Sequence, residues 1–137
     1  MISGPTGTPQ SRKLGLRSGQ RVWLDNPPSG WSLIDPPADL ITVPPPQPAD
    51  VIVGFFTAAA QIPLRLPGLV QRIHPSGALW IAWPRRAGGH DSDITDNVVR
   101  HEALALGVVD VKVAAIDNDW SGLRVVWRVE NRRGPTS

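Results

Sequence analysis

Asp50-Val51-Ile52-Val53-Gly54-Phe55-Phe56 and Gly77-Ala78-Leu79-Trp80-Ile81-Ala82-Trp83 are the two stretches that decide the fold. Each is almost continuously apolar, with no polar alternation, which is how a strand buried on both faces reads. Such strands belong to parallel sheets covered on either side and joined by crossover segments. Two more strands precede them. Arg21-Val22-Trp23-Leu24-Asp25 is stopped by Asn26-Pro27-Pro28-Ser29-Gly30. Leu40-Ile41-Thr42-Val43 is stopped by Pro44, Pro45 and Pro46, which have no N–H to give a ladder.

The segments between strands carry helical spacing. Leu66, Leu69, Val70 and Ile73 mark one helix, with Pro67 in its first turn and Pro63 arguing against a longer one. After the fourth strand, Asp93 is a candidate N-cap. The helix it opens has Ile94, Val98 and Ala105 on one stripe, Val99, Ala103 and Leu106 on the next, and Gly107 at its end. The rhythm then changes to period two. Val109, Val111, Val113 and Ala115 alternate with Asp110, Lys112 and Ala114, and Leu123, Val125, Trp127 and Val129 alternate with Arg124, Val126 and Arg128. Alternation on both sides of 117–122 predicts an antiparallel hairpin. Asp110 and Lys112 suit an edge strand, where charges discourage pairing with another sheet. The predicted fold class is therefore α/β: a small, open, mostly parallel sheet of about six strands with a C-terminal antiparallel hairpin.

Length and composition set limits on function. At 137 residues there is room for one core. Residues 1–18, rich in Gly, Pro, Ser and Thr, are expected to be a disordered basic tail, 19–130 a single α/β domain, and 131–137 a second disordered tail. Arg12, Lys13, Arg17, Arg21, Arg132 and Arg133 supply six of fourteen basic residues, and all twelve acids lie between Asp25 and Glu130. The body then carries 8 − 12 = −4, so nucleic acid is not an expected partner of the folded body, which would need a basic face. No apolar run approaches the roughly 20 residues of a membrane span, and no secretory leader is recognised at the start. No membrane partner and a cytoplasmic location are expected. The absence of cysteine excludes disulfides and thiolate sites.

Four parallel strands followed by a hairpin resemble the second half of a methyltransferase dependent on S-adenosylmethionine, a Rossmann-like fold in reduced form. Ala49-Asp50-Val51-Ile52-Val53 resembles that fold's fourth strand, and His74-Pro75-Ser76-Gly77-Ala78-Leu79-Trp80 the approach to its fifth. The resemblance implies the strand order 2-1-3-4-6-5. A closer similarity is to an uncharacterised bacterial family catalogued as domain of unknown function 3052, from about Leu14 to Arg128. It is carried by Leu14-Gly15-Leu16-Arg17-Ser18-Gly19-Gln20-Arg21-Val22, Gly77 to Arg85, Asp93 to Arg100, Gly107 to Val113 and Trp120-Ser121-Gly122-Leu123. That family implies no known activity.

The loop after the first strand argues against cofactor chemistry. A working enzyme of this type follows the strand-ending acid with glycines, which let bare backbone approach the cofactor. Here Asp25 is followed by Asn26-Pro27-Pro28, which resembles the Asn/Asp-Pro-Pro-aromatic motif of amino-group methyltransferases but continues with Ser29, leaving Trp31 displaced by two. A rigid strand-ending turn is the expectation. No cofactor, metal or catalytic residue is expected, since His74, His90 and His101 lack ligand spacing and no nucleophile elbow occurs. A ligand on such a sheet sits at the carboxyl ends of the strands, at the switch point. Asn26, Ser29, Thr57, Trp83, Arg85, Arg86 and His90 are expected to face that crevice. Arg85-Arg86-Ala87-Gly88-Gly89-His90 could hold a phosphate or carboxylate beside a helix N-terminus, or be a flexible loop pinned by local ion pairs. Of six tryptophans, Trp23, Trp80 and Trp127 read as core, and Trp31, Trp83 and Trp120 as candidates for the carboxyl edge. The expected function is a non-catalytic bacterial binding or regulatory module for a small anionic ligand or protein partner. The alternatives are a divergent methyltransferase-like enzyme and weak nucleic-acid association through the basic tails.

Overall fold

A computed structural model describes residues 9–132. Strands β1 (Arg21–Asp25), β2 (Ile41–Thr42), β3 (Ala49–Phe55) and β4 (Ile73–Pro84) run parallel. β6 (Trp120–Trp127) lies antiparallel to β4, and β5 (Val108–Ala115) antiparallel to β6. The order across the sheet is β2-β1-β3-β4-β6-β5, as expected. No helix among the described residues is long and apolar enough to cross a membrane.

One face of the sheet is covered by two helices, α2 (Ile62–Gln71) and α3 (Asp96–Leu104). Leu66, Leu69, Val99 and Ala103 pack there on Ile52, Leu79, Ile81 and Val125. α2 begins earlier than its spacing predicts. Pro63 sits in the first turn, where a missing N–H would have had no partner, and Pro67 is tolerated inside. The cap of α3 also differs from expectation. Thr95 Oγ1 accepts from the Val98 N–H at 3.2 Å, while Asp93 turns away to accept from the Ala59 N–H at 2.8 Å. Val99 and Ala103 face the core, as does Ile94 just before the helix, whereas Val98 and Ala105 point outward. Beyond α2, Arg72 is buried over Trp23, 5.3 Å from its ring, and donates to the carbonyls of Gln47 and Val43. Burial lowers its pKa, and the charge of Asp25 opposes that shift.

The other face corrects the assignment of 1–18 as a disordered tail. Residues 1–8 lie outside the described residues, but 9–18 fold, with α1 at Gln10–Leu14. Leu14 is wholly buried, and the Trp80 indole N–H donates to its carbonyl at 3.1 Å. Gln10 donates to Ile116 O and accepts from the Ile34 N–H, and Lys13 donates to Ala115 O. The reason is coverage: Val51, Val53 and Trp80 need an apolar lid, and Leu14 and Leu16 supply it. Arg12, Lys13, Arg17 and Arg21 thus belong to the folded body. Excluding Arg133, the described residues carry 13 − 12 = +1, not −4. At the other end Asn131 and Arg132 are described, in a 3-10 turn, and 133–137 lie outside.

The hairpin is tighter than predicted. Asp117 Oδ1 accepts from the N–H groups of Asp119 and Trp120, both at 2.8 Å, so Trp120, Ser121 and Gly122 join the ladder and Val129 leaves it. β5 carries a bulge. Asp110 pairs with Val125 but Lys112 with Arg124, leaving Val111 as an extra residue. The amino end of β4 is also irregular beside β3. A Cβ at Gly77 would lie 2.6 Å from Asp50 O, so only glycine fits that approach.

Candidate functional site

The carboxyl ends of β1, β3 and β4 lie side by side, as their parallel register requires. β1 ends on Asp25, and Asn26 takes φ +55°, a left-handed conformation that asparagine tolerates. The turn closes with the Trp31 N–H donating to Pro28 O at 3.0 Å.

Arg65, from α2, crosses the switch point between β1 and β3. Its guanidinium pairs with Asp25 at 2.5 Å, donates to Phe55 O at 2.7 Å and lies 4.1 Å from the Phe56 ring centroid. Asp25 also accepts from the Trp23 indole at 3.3 Å. On the α1 side of the same edge, Phe55 is held between the edges of Trp31 and Trp120, at 4.8 and 5.0 Å. The Trp31 indole donates to Asp117 Oδ2 at 2.8 Å, tying the β1 turn to the hairpin turn.

The loop after β4 leans on that hairpin turn. The Arg85 N–H donates to Asp119 O at 2.8 Å, and its side chain to Asn118 O at 3.4 Å. His90 Nε2 lies 2.9 Å from Asp119 Oδ1. A Cβ at Gly88 would sit 2.1 Å from Asn118 O, so this glycine serves close packing. Arg86 donates to Ser92 O. A shallow concavity of about 520 Å³ lies beside it, lined by Arg86, Asp91, Ser92 and Asp93, with more negative charge than positive.

The expected site residues are thus only partly brought together. Asn26 and Ser29 are exposed on the β1 turn, and Thr57 is exposed beyond β3 with its N–H and hydroxyl on Gln61 Oε1. Arg85, Arg86 and His90 share the β4 loop. Trp83 is not at the crevice; it is 6% exposed and packs in the core under α2 and α3. Arg65 and Trp31 hold the edge together, and Arg65 was not anticipated. Its signal was available: it sits four residues before Leu69, on the flank of the apolar stripe.

No protein-family model matches the sequence, and no curated protein does. Among solved structures, the chain is similar to a LepI variant in complex with SAH and a substrate analogue. The TM-score is 0.51 and the identity 12%, over 86% of this chain. The fold is shared. At that identity the likeness concerns architecture alone, and it covers 39% of the LepI chain.

Proposed function

We propose that this chain is a non-catalytic bacterial binding or regulatory module on a reduced methyltransferase-like fold, within the family of unknown function whose motifs it resembles. The observation that carries this reading is Arg65. It engages Asp25, the acid an adenosyl cofactor would need at the end of β1, and it rests on Phe56 across the switch point. Pro27 and Pro28 follow where bare backbone would have to approach. The residues present do not suit an adenosyl group.

A protein partner fits this module better than a small anion in the β4 loop. The guanidinium groups of Arg85 and Arg86 already donate to backbone carbonyls, and His90 is matched to Asp119. The test is thermal unfolding with S-adenosylmethionine or its demethylated product. A ligand of the native state at a hundred times its Kd adds about 2.7 kcal/mol, a rise on the order of 10 °C for a domain of this size. No rise at millimolar ligand is expected. A saturable rise that Arg65→Ala alters would replace this reading with the enzyme one.

A further inference from the structure

Among the described residues, the hairpin is covered on one face only. α3 packs on β5 and β6 from one side. On the other, α1 reaches only the end near Ala115 and Ile116. Cross-strand pairing places Val109 beside Val126 and Lys112 beside Arg124 on that second face. Lys112 is exposed, and Val109, Val126 and Arg124 are half-buried. Two like charges directly opposite each other destabilise a ladder unless something neutralises them. Among the described residues neither forms an ion pair. Burial holds the Arg124 guanidinium below its ordinary pKa. Next to Val126 opens a cavity of about 270 Å³, lined by His74, Pro75, Ser76, Gly77, Val126 and Arg132, with no carboxylate among the described residues.

The opposite face differs. There Arg100 meets both Asp110 at 2.9 Å and Asp96 at 3.6 Å. Unmatched positive charge is therefore gathered where the sheet is bare.

We propose that this bare face of β5 and β6 docks an acidic, amphipathic segment of a partner protein, its carboxylates meeting Lys112 and Arg124 and its apolar residues covering Val109 and Val126. The inference rests on the reading of the chain as a binding module and names its partner's chemistry. A single nucleic-acid strand suits the face less well, because no aromatic ring among the described residues is offered there for base stacking.

The experiment titrates the isotope-labelled protein with a synthetic peptide alternating glutamate and leucine, followed by backbone NMR. Polyglutamate and a DNA duplex are the comparison probes. The alternating peptide is expected to bind at least tenfold more tightly than polyglutamate, with shifts centred on Val109, Lys112, Arg124 and Val126. Arg124→Glu is expected to weaken binding at least tenfold while raising the melting temperature, since Glu would face Lys112 across the strands. Arg124→Gln serves as the milder variant. Absence of peptide binding, shifts centred elsewhere, indifference to both variants, or tighter binding of the duplex would each overturn the proposal. Because none of these measurements involves S-adenosylmethionine, they fail or succeed separately from the test of Arg65.

Discussion

On one face of the sheet, α2 and α3 lay regular apolar stripes over Ile52, Leu79 and Ile81. On the other, a five-residue helix, two leucines and an irregular loop carrying Trp31 and Leu33 cover Val51, Phe55 and Trp80. Both solutions exclude water from the central strands, but by different means. The helical face relies on the regular stripes of α2 and α3, which close over Phe56 and Trp83. The α1 face relies on a few large rings and on side chains that bond to distant backbone. The first should yield gradually to substitution, and the second should depend heavily on single residues.

Trp80→Ala puts that contrast under the greatest strain. It removes a fully buried ring and its bond to Leu14 O, an expected loss of about 3–5 kcal/mol in urea denaturation, with α1 released. Retention of α1 amide protection in hydrogen exchange would break the picture of Trp80 as its anchor. Next come Leu14→Ala and Leu66→Ala, one from each face and both wholly buried, both expected within about 2–5 kcal/mol, with Leu14→Ala the larger loss. A cost below about 1 kcal/mol for Leu14→Ala alone would return α1 to the status of a tail. Thr95→Ala is the smallest of the set. It removes one cap bond and should cost about 1 kcal/mol, read as a modest fall in the denaturation midpoint.

The central strands and the stripe of α3 were legible because long apolar runs and helical spacing encode them directly, whereas the strand order came only from the resemblance to a methyltransferase-type sheet. The α1 face was not. Leu14 and Leu16 stand among Gly, Ser and Arg, and two apolar residues make no period, so their burial depends on what Trp80 and Val53 need. Trp83 was misplaced because a strand-end position tells nothing of which side of the sheet a ring takes. Arg65 was missed because a cation beside an apolar stripe reads as solvated, whereas Asp25 and Phe55 O draw it across the strand ends. The Asp117 turn was overestimated in length because its side chain does what extra backbone otherwise would.

Val111 gives the hairpin its polarity without carrying any charge. In an unbroken strand of the same sequence, Asp110 and Lys112 would point the same way and largely cancel. The phase slip at Val111 turns Asp110 toward Arg100 and leaves Lys112 opposite Arg124. One neutral residue thereby sorts acid from base across a layer a single chain thick, and makes a dipole perpendicular to the sheet.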